Sequence, residues 1–198
     1  MGVTVMAYWL LLAAVGLLRL GELRLSRRNQ RRLMARGARL VPDPSFPWMV
    51  ALHTGMLLAA AGEVVLLQRP LIWPLAAPML ALFLAANAGR WWVIRTLGEG
   101  WTVRVMTVSR QGVAVEGPFR WIRHPNYACV FVEMAVLPLI HTAWLTALIG
   151  SCAHVLVLRE RLRVEESVLL ANSMYRDQMS AKPCFLPRAL RPRTGMTE

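Results

Sequence analysis

The stretch Val3-Thr4-Val5-Met6-Ala7-Tyr8-Trp9-Leu10-Leu11-Leu12-Ala13-Ala14-Val15-Gly16-Leu17-Leu18 carries no charge, and it runs straight into Arg19, Arg24, Arg27, Arg28, Arg31, Arg32, Arg36 and Arg39. An apolar run closed by a block of arginines marks a membrane span whose arginine end is held on the cytoplasmic side. The order of the charges matters. A secretory signal peptide places its basic residues before the apolar run, whereas Met1 to Met6 holds none. The stretch therefore reads as a retained helix. Of the 198 residues 56% are hydrophobic, yet the formal net charge is +12. A nucleic-acid binder of that charge would present it on one face of a soluble body. Here the charges lie between apolar blocks, which argues for a membrane and against nucleic acid as the partner.

Working outward, four more apolar segments follow: Trp48 to Leu67, Leu71 to Leu97, Asn126 to Ile140 and Ala143 to Leu158, the last continuing as a more polar helix. A straight helix needs roughly 20 residues to cross the hydrocarbon. The second and third segments reach that length, while the first, fourth and fifth need flanking residues or a locally thinner bilayer. A count of four full spans, with the last pair merged or half-inserted, stays open. With five, Gln68-Arg69-Pro70 and His141-Thr142 become outer turns, and Gly98 to His124 and everything from Arg159 onward lie inside. Only Arg69 among the Lys and Arg residues then falls clearly outside. The expected fold is an all-α integral membrane helical bundle of about five transmembrane helices. A short extended cytoplasmic hairpin precedes the fourth, because Thr102 to Val108 and Gly112 to Val115 are β-branched runs around Ser109-Arg110-Gln111-Gly112. Cys129, Cys152 and Cys184 match no metal or disulfide spacing, and no metal is expected.

Two constellations carry polar chemistry at the cytoplasmic edge. The first is Gly117-Pro118-Phe119-Arg120-Trp121-Ile122-Arg123-His124-Pro125-Asn126-Tyr127. Pro125 suits the first turn of a helix, since its missing N–H has no partner there in any case. The free amides of such a helix start favour an anion, and His124 and Tyr127 flank the opening. Arg, Trp and Tyr at headgroup level would also serve as a plain interfacial anchor. The second is Arg161-Leu162-Arg163-Val164-Glu165-Glu166. At about 100° per residue, His154, Arg161 and Glu165 fall on one stripe of the fifth helix. A polar stripe inside a membrane faces protein or a wet cavity; it is either a functional wall or a structural polar contact. Glu63, Asn87, Arg90 and Glu133 are further intramembrane polar residues, placed to line a cleft or to pair with one another; Glu63, near the outer end of its span, reads as snorkelling or structural, and His53 and His141 read as interfacial.

At these residues the chain resembles the isoprenylcysteine carboxyl methyltransferase family. Arg123-His124-Pro125-Asn126-Tyr127 is similar to the family's RHPxY, and Arg161 with Glu165-Glu166 to its RxxxEE, with a helical hairpin between them. Tyr175 and Phe185-Leu186-Pro187 echo its closing segment, although its usual Phe-Gly is replaced by Asn172-Ser173-Met174-Tyr175. The specific likeness runs from about Gly98 to Pro187. It implies a single membrane domain over 1–198: three spans over 1–97, a cofactor loop, helical hairpin and cytoplasmic segment over 98–187, and a loose tail over 188–198. It implies an enzyme that transfers a methyl group from S-adenosylmethionine to a lipidic acceptor at the cytoplasmic face. His124, Pro125, Asn126 and Tyr127 would contact the cofactor, with Phe119 and the backbone of Val113, Ala114, Val115 and Gly117 lining its pocket, and Glu165 holding a polar part of it. Arg161 would be the catalytic residue facing the acceptor oxygen, with His154 and Glu133 also on the substrate, His154 as the base if the acceptor is a phenol.

Glu22-Leu23-Arg24-Leu25-Ser26-Arg27-Arg28-Asn29 and Pro47-Trp48-Met49-Val50-Ala51-Leu52-His53-Thr54 resemble a bacterial branch of that family, the lipid O-methyltransferases of alkylpyrones and alkylresorcinols. The Arg-rich, Lys-poor composition fits a high-GC bacterium and its inner membrane. A lipid hydroxyl or carboxyl is then expected over a protein C-terminus. Two competing readings are a phospholipid-type N-methyltransferase, whose amine acceptor leaves Arg161 without a role, and a non-catalytic transport or assembly protein, which binds no cofactor.

Overall fold

The computed structural model describes residues 2–107 and 113–187. The described residues form six helices: α1 (Val3–Ala35), α2 (Phe46–Leu66), α3 (Trp73–Leu97), α4 (Pro125–Leu139), α5 (Trp144–Ala171) and α6 (Ser173–Met179). The first five coincide with the five apolar segments, and the architecture is an all-α membrane helical bundle. α1, α2 and α3 are each long and apolar enough to cross a membrane. α4 has only 15 residues, about 22 Å of rise, and α5 turns charged from Arg159 onward.

The end of the bundle with short turns holds most of the apolar core. Tyr8, Leu12, Ala60, Val64, Phe83 and Leu137 cluster there. Its two turns are those the charge pattern placed, and they are tied together: Thr142, with a positive φ of 53°, donates from Oγ1 to the Pro70 carbonyl at 2.6 Å. A β-branched residue at positive φ is strained unless its surroundings hold it there. Glu63 does not reach for water. It accepts from the Thr146 amide at 2.8 Å and the Leu145 amide at 3.2 Å, capping the positive end of α5, and pairs with Arg69 at 2.8 Å. His141 is buried against Tyr8.

α1 runs far past its apolar part, to Ala35, because its basic half has a second polar face with work to do. Ser26 and Asn29 are buried on that face. Asn29 donates to the carbonyls of Gly98 at 3.1 Å and Trp101 at 2.8 Å, and Ser26 Oγ accepts from the Val103 amide at 2.8 Å. The helix thereby pins the start of the 98–124 loop. The first limb of the expected hairpin bends at Val103 and Arg104, and past the bend its partner is the α1–α2 linker: Leu40 bridges Met106 in antiparallel sense, and the Val41 amide donates to Val105 at 3.0 Å. The intended turn of that hairpin lies outside the described residues.

α4 lies closely against α3 and α5. At one crossing a Cβ added to Gly89 would stand 2.9 Å from Cys129 Sγ, so any larger residue there would force Cys129 to shift. At the loop end, Val93, Phe119, Tyr175 and Met179 form a second core that seats the 117–120 turn on α3.

Candidate active site at the loop end of the bundle

Gly117 opens a short 3₁₀ turn, Gly117–Arg120, at a φ of 55°, with its α-carbon so close to Thr96 that a Cβ would lie 2.7 Å from Oγ1. Both facts call for glycine. The turn delivers Arg123 and His124 to the start of α4, where Pro125 takes the first helical position. Their backbone amides donate to Pro183 at 2.9 Å and Cys184 at 3.0 Å. The closing segment is thereby stapled under the helix start, and the site gains a floor.

Two chains of polar contacts then join α4 to α5. In the first, Arg123 pairs with Glu166 at 2.7 Å, and His124 Nε2 bonds the other oxygen of Glu166. The hydrogen bond from His124, opposed by partial burial and aided by Arg123, holds the Glu166 carboxyl below the usual carboxylate range. In the second, Tyr127 donates to Glu165 and accepts from Arg161 Nε at 2.7 Å. Neighbours on a helix point about 100° apart, so Glu165 and Glu166 serve different partners. His124 Nδ1 lies 3.9 Å from Glu165, which brings the two motifs together at one place.

Arg161 departs from expectation. Its Nη1 pairs with Asp43 at 2.6 Å, its Nη2 bonds the Val103 carbonyl, and its Nε holds Tyr127. The guanidinium is thus engaged on all three nitrogens and its charge is countered by a buried carboxylate. Asp43 was not legible from motif or spacing; the one signal is an acidic residue, flanked by Pro42 and Pro44, in an otherwise basic linker.

Two cavities meet here. The smaller, about 220 Å³, includes Arg104, Val113, Ala114, Leu169 and Tyr175 in its lining. The larger, about 680 Å³, extends from His124, Pro125, Asn126 and Tyr127 down between the helices past Glu133 and His154 to Leu137. Leu97, Thr102, Phe119, Arg123, Arg161 and Glu165 line both and form the wall between them. The expected cofactor residues are therefore divided. Val113 and Ala114 face the small cavity, the His124–Tyr127 segment faces the large one, and Phe119 and Glu165 face both. Val115 packs against the Phe119 and Tyr175 core, and Gly117 shapes the turn behind it; neither is among the lining residues. His154 and Glu133 line the large cavity, and so does His53.

The large cavity opens sideways. Its exposed lining residues are Ala13, Leu17 and Leu20 on α1 and Val50 and Thr54 on α2. Those spacings of three and four put each set on one helix face, so the mouth lies between α1 and α2, at the level of the apolar segments. In the small cavity, Arg104 Nε, Arg123 Nε and Tyr175 Oη are buried and have no hydrogen-bond partner among the described residues. Burial also raises the Tyr175 pKa, keeping it a donor.

Comparison with known proteins gives a consistent result. The model of the isoprenylcysteine carboxyl methyltransferase (ICMT) family matches residues 79–171, which span α3 to the end of α5 and contain both motifs. Relatives include the uncharacterized protein YpbQ of Bacillus subtilis (strain 168), 29% identical over 168 residues, or 84% of this chain and 99% of the relative. An uncharacterized protein of Haemophilus influenzae is 28% identical over 159 residues, covering 79% of this chain and 91% of its own.

Proposed function

We propose that this protein, whose residues 79–171 match the model of the isoprenylcysteine carboxyl methyltransferase family, transfers a methyl group from S-adenosylmethionine to an oxygen of a lipidic acceptor. The observation that carries the reading is the shared wall: a small cavity with polar donors and a long, laterally open, mostly apolar cavity meet at Phe119, Arg123, Arg161 and Glu165. A water-soluble donor and a bilayer-soluble acceptor need that arrangement, each reaching one point from its own solvent.

The residues of the small cavity fit the cofactor. The unpartnered Arg104 Nε, Arg123 Nε and Tyr175 Oη suit its carboxylate and hydroxyl groups, the apolar side chains of Val113, Ala114 and Leu169 suit a purine, and Glu165 suits its positive charge. When bound, S-adenosylmethionine supplies an electrophilic methyl carbon, so that a C–O bond forms as the S–C bond breaks. The chain's own task is alignment, worth several kcal/mol in such reactions, and exclusion of water. Tyr127, fixed by Arg161 and Glu165, presents a hydroxyl at the wall. A carboxylate acceptor needs no base. A hydroxyl acceptor passes its proton to the Glu165 carboxylate, directly or through Tyr127. His154 is no base in this arrangement, being seven residues, roughly 10 Å, deeper along α5 than Arg161. Arg161, already paired with Asp43, acts as a positioning residue. The site lies at the cytoplasmic face by the distribution of arginines.

The neutralised Arg161 also admits a second reading, an amine acceptor drawn to Glu165. Product analysis separates the two. Protein incubated with methyl-labelled cofactor and bacterial lipid should yield ethers or esters, whereas methylated amines would favour the second reading. Equilibrium dialysis tests the cofactor itself: wild type should bind S-adenosylmethionine, Glu165→Gln and Arg104→Met should bind on the order of tenfold more weakly, and equal binding by all three would refute the site.

A further inference from the structure

Part of the way down the large cavity runs a band of polar side chains that methyl transfer at the shared wall does not use. Arg19, Glu22, Arg90 and Glu133 come to it from α1, α3 and α4, and His53 and His154 from α2 and α5. Most of their capacity is satisfied internally. Glu22 takes Arg19 at 2.8 Å and Arg90 at 2.7 Å, Glu133 Oε2 takes Arg19 at 2.9 Å, and His53 Nδ1 bonds the Met49 carbonyl at 2.7 Å. Three atoms are left over. Glu133 Oε1 and both ring nitrogens of His154 have no hydrogen-bond partner among the described residues, although Glu133 is 6% exposed and His154 only 1%.

An unpaired polar atom is expensive in a low-dielectric interior, and what separates these atoms from the equally unpartnered His141 and Ser151 is that Glu133 and His154 line the large cavity. Two helices place them at the same depth. His154 lies seven residues beyond Arg161 on α5, and Glu133 six residues beyond Tyr127 on α4, or roughly 10 Å and 9 Å at the helical rise. What they offer is specific: Glu133, already bonded to Arg19, accepts, while a neutral imidazole both donates and accepts. A hydroxyl group, donor and acceptor at once, can partner one of them; a bare alkyl chain leaves all three unpaired.

Resting on the methyltransferase reading above, we infer that this band is a second binding subsite, and that the acceptor is a lipid bearing a hydroxyl group roughly 10 Å along its chain from the atom that receives the methyl group. The wall then selects the reacting head, and the band selects the depth at which the chain comes to rest.

The test uses the full chain in nanodiscs and two synthetic long-chain acceptors, identical in head and length, one with a hydroxyl group at that distance and one plain. Both are also scored by displacement of a pyrene-labelled fatty alcohol from the cavity, so that binding is read whether or not the head is methylated. The hydroxylated lipid should show a KM and a displacement constant about tenfold lower in wild type, the worth of one well-placed hydrogen bond. That advantage should vanish in His154→Phe, which keeps the ring volume, and return in part in His154→Gln. Equal values for the two lipids in wild type would overturn the subsite. Cofactor binding is measured separately: methylation without hydroxyl preference removes this inference alone, whereas hydroxyl preference without S-adenosylmethionine binding keeps the subsite and removes the methyltransferase.

Discussion

The residue whose surroundings were least foreseen from the sequence is Arg161. As part of RxxxEE it invites a direct role on an anionic acceptor, but in the fold it is 3% exposed and has its charge met by Asp43 at 2.6 Å. Removing one partner of a buried ion pair leaves the other uncompensated and costs about 3–5 kcal/mol, while replacing both can be neutral. Asp43→Asn should therefore lower thermal stability in detergent by that amount, and Asp43→Leu combined with Arg161→Met should recover most of it without restoring turnover. Loss of activity in the single variant with stability intact would return Arg161 to the substrate. Asp43 stayed illegible in the sequence because a pairing across 118 positions leaves no local trace. His124, Tyr127 and Glu165 were legible, since each sits where a helix start or a helical stripe fixes its direction.

Among elements, α4 decides the site. It is short, begins with the motif proline and is held on two sides, by α3 at Gly89 and by α5 through Glu165 and Glu166. The contact at Gly89 rests on space rather than chemistry. Gly89→Ala gains helix propensity, about 1 kcal/mol in isolation, yet brings a Cβ to 2.9 Å from Cys129 Sγ, and overpacking of that kind costs about 1–3 kcal/mol. The variant should unfold at lower temperature than wild type, and Cys129→Ala added to it should bring the midpoint back; no effect in the single variant would mean that α3 and α4 are free to separate. Helix identity was readable from hydropathy, because the bilayer demands apolar runs of set length, but not the limits of the charged extensions that carry α1 to Ala35 and α5 to Ala171. The partner of the 102–107 segment was not readable either. β-branched residues declare an extended backbone without naming which strand completes it, and the α1–α2 linker lay far off in sequence.

For the molecule as a whole, the lateral mouth between α1 and α2 sets what can enter. Leu17→Trp and Val50→Trp should reduce kcat/KM for a long-chain acceptor on the order of tenfold, with the dissociation constant of S-adenosylmethionine and turnover of a short-chain acceptor unchanged. Equal losses for both acceptors would place the entrance elsewhere. The amino-acid sequence by itself determined the membrane, the helices, the charged end and the two motifs, because all of these follow from local composition and from the free energy of placing each segment in lipid or water. Only the tertiary structure decided that the motifs meet across a wall with a cavity on either side, that Arg161 is already paired, and that Glu133 and His154, on the lining of the large cavity, keep three buried polar atoms without a partner among the described residues. These are properties of space enclosed between helices, and no helix encodes alone the space it will share with its neighbours.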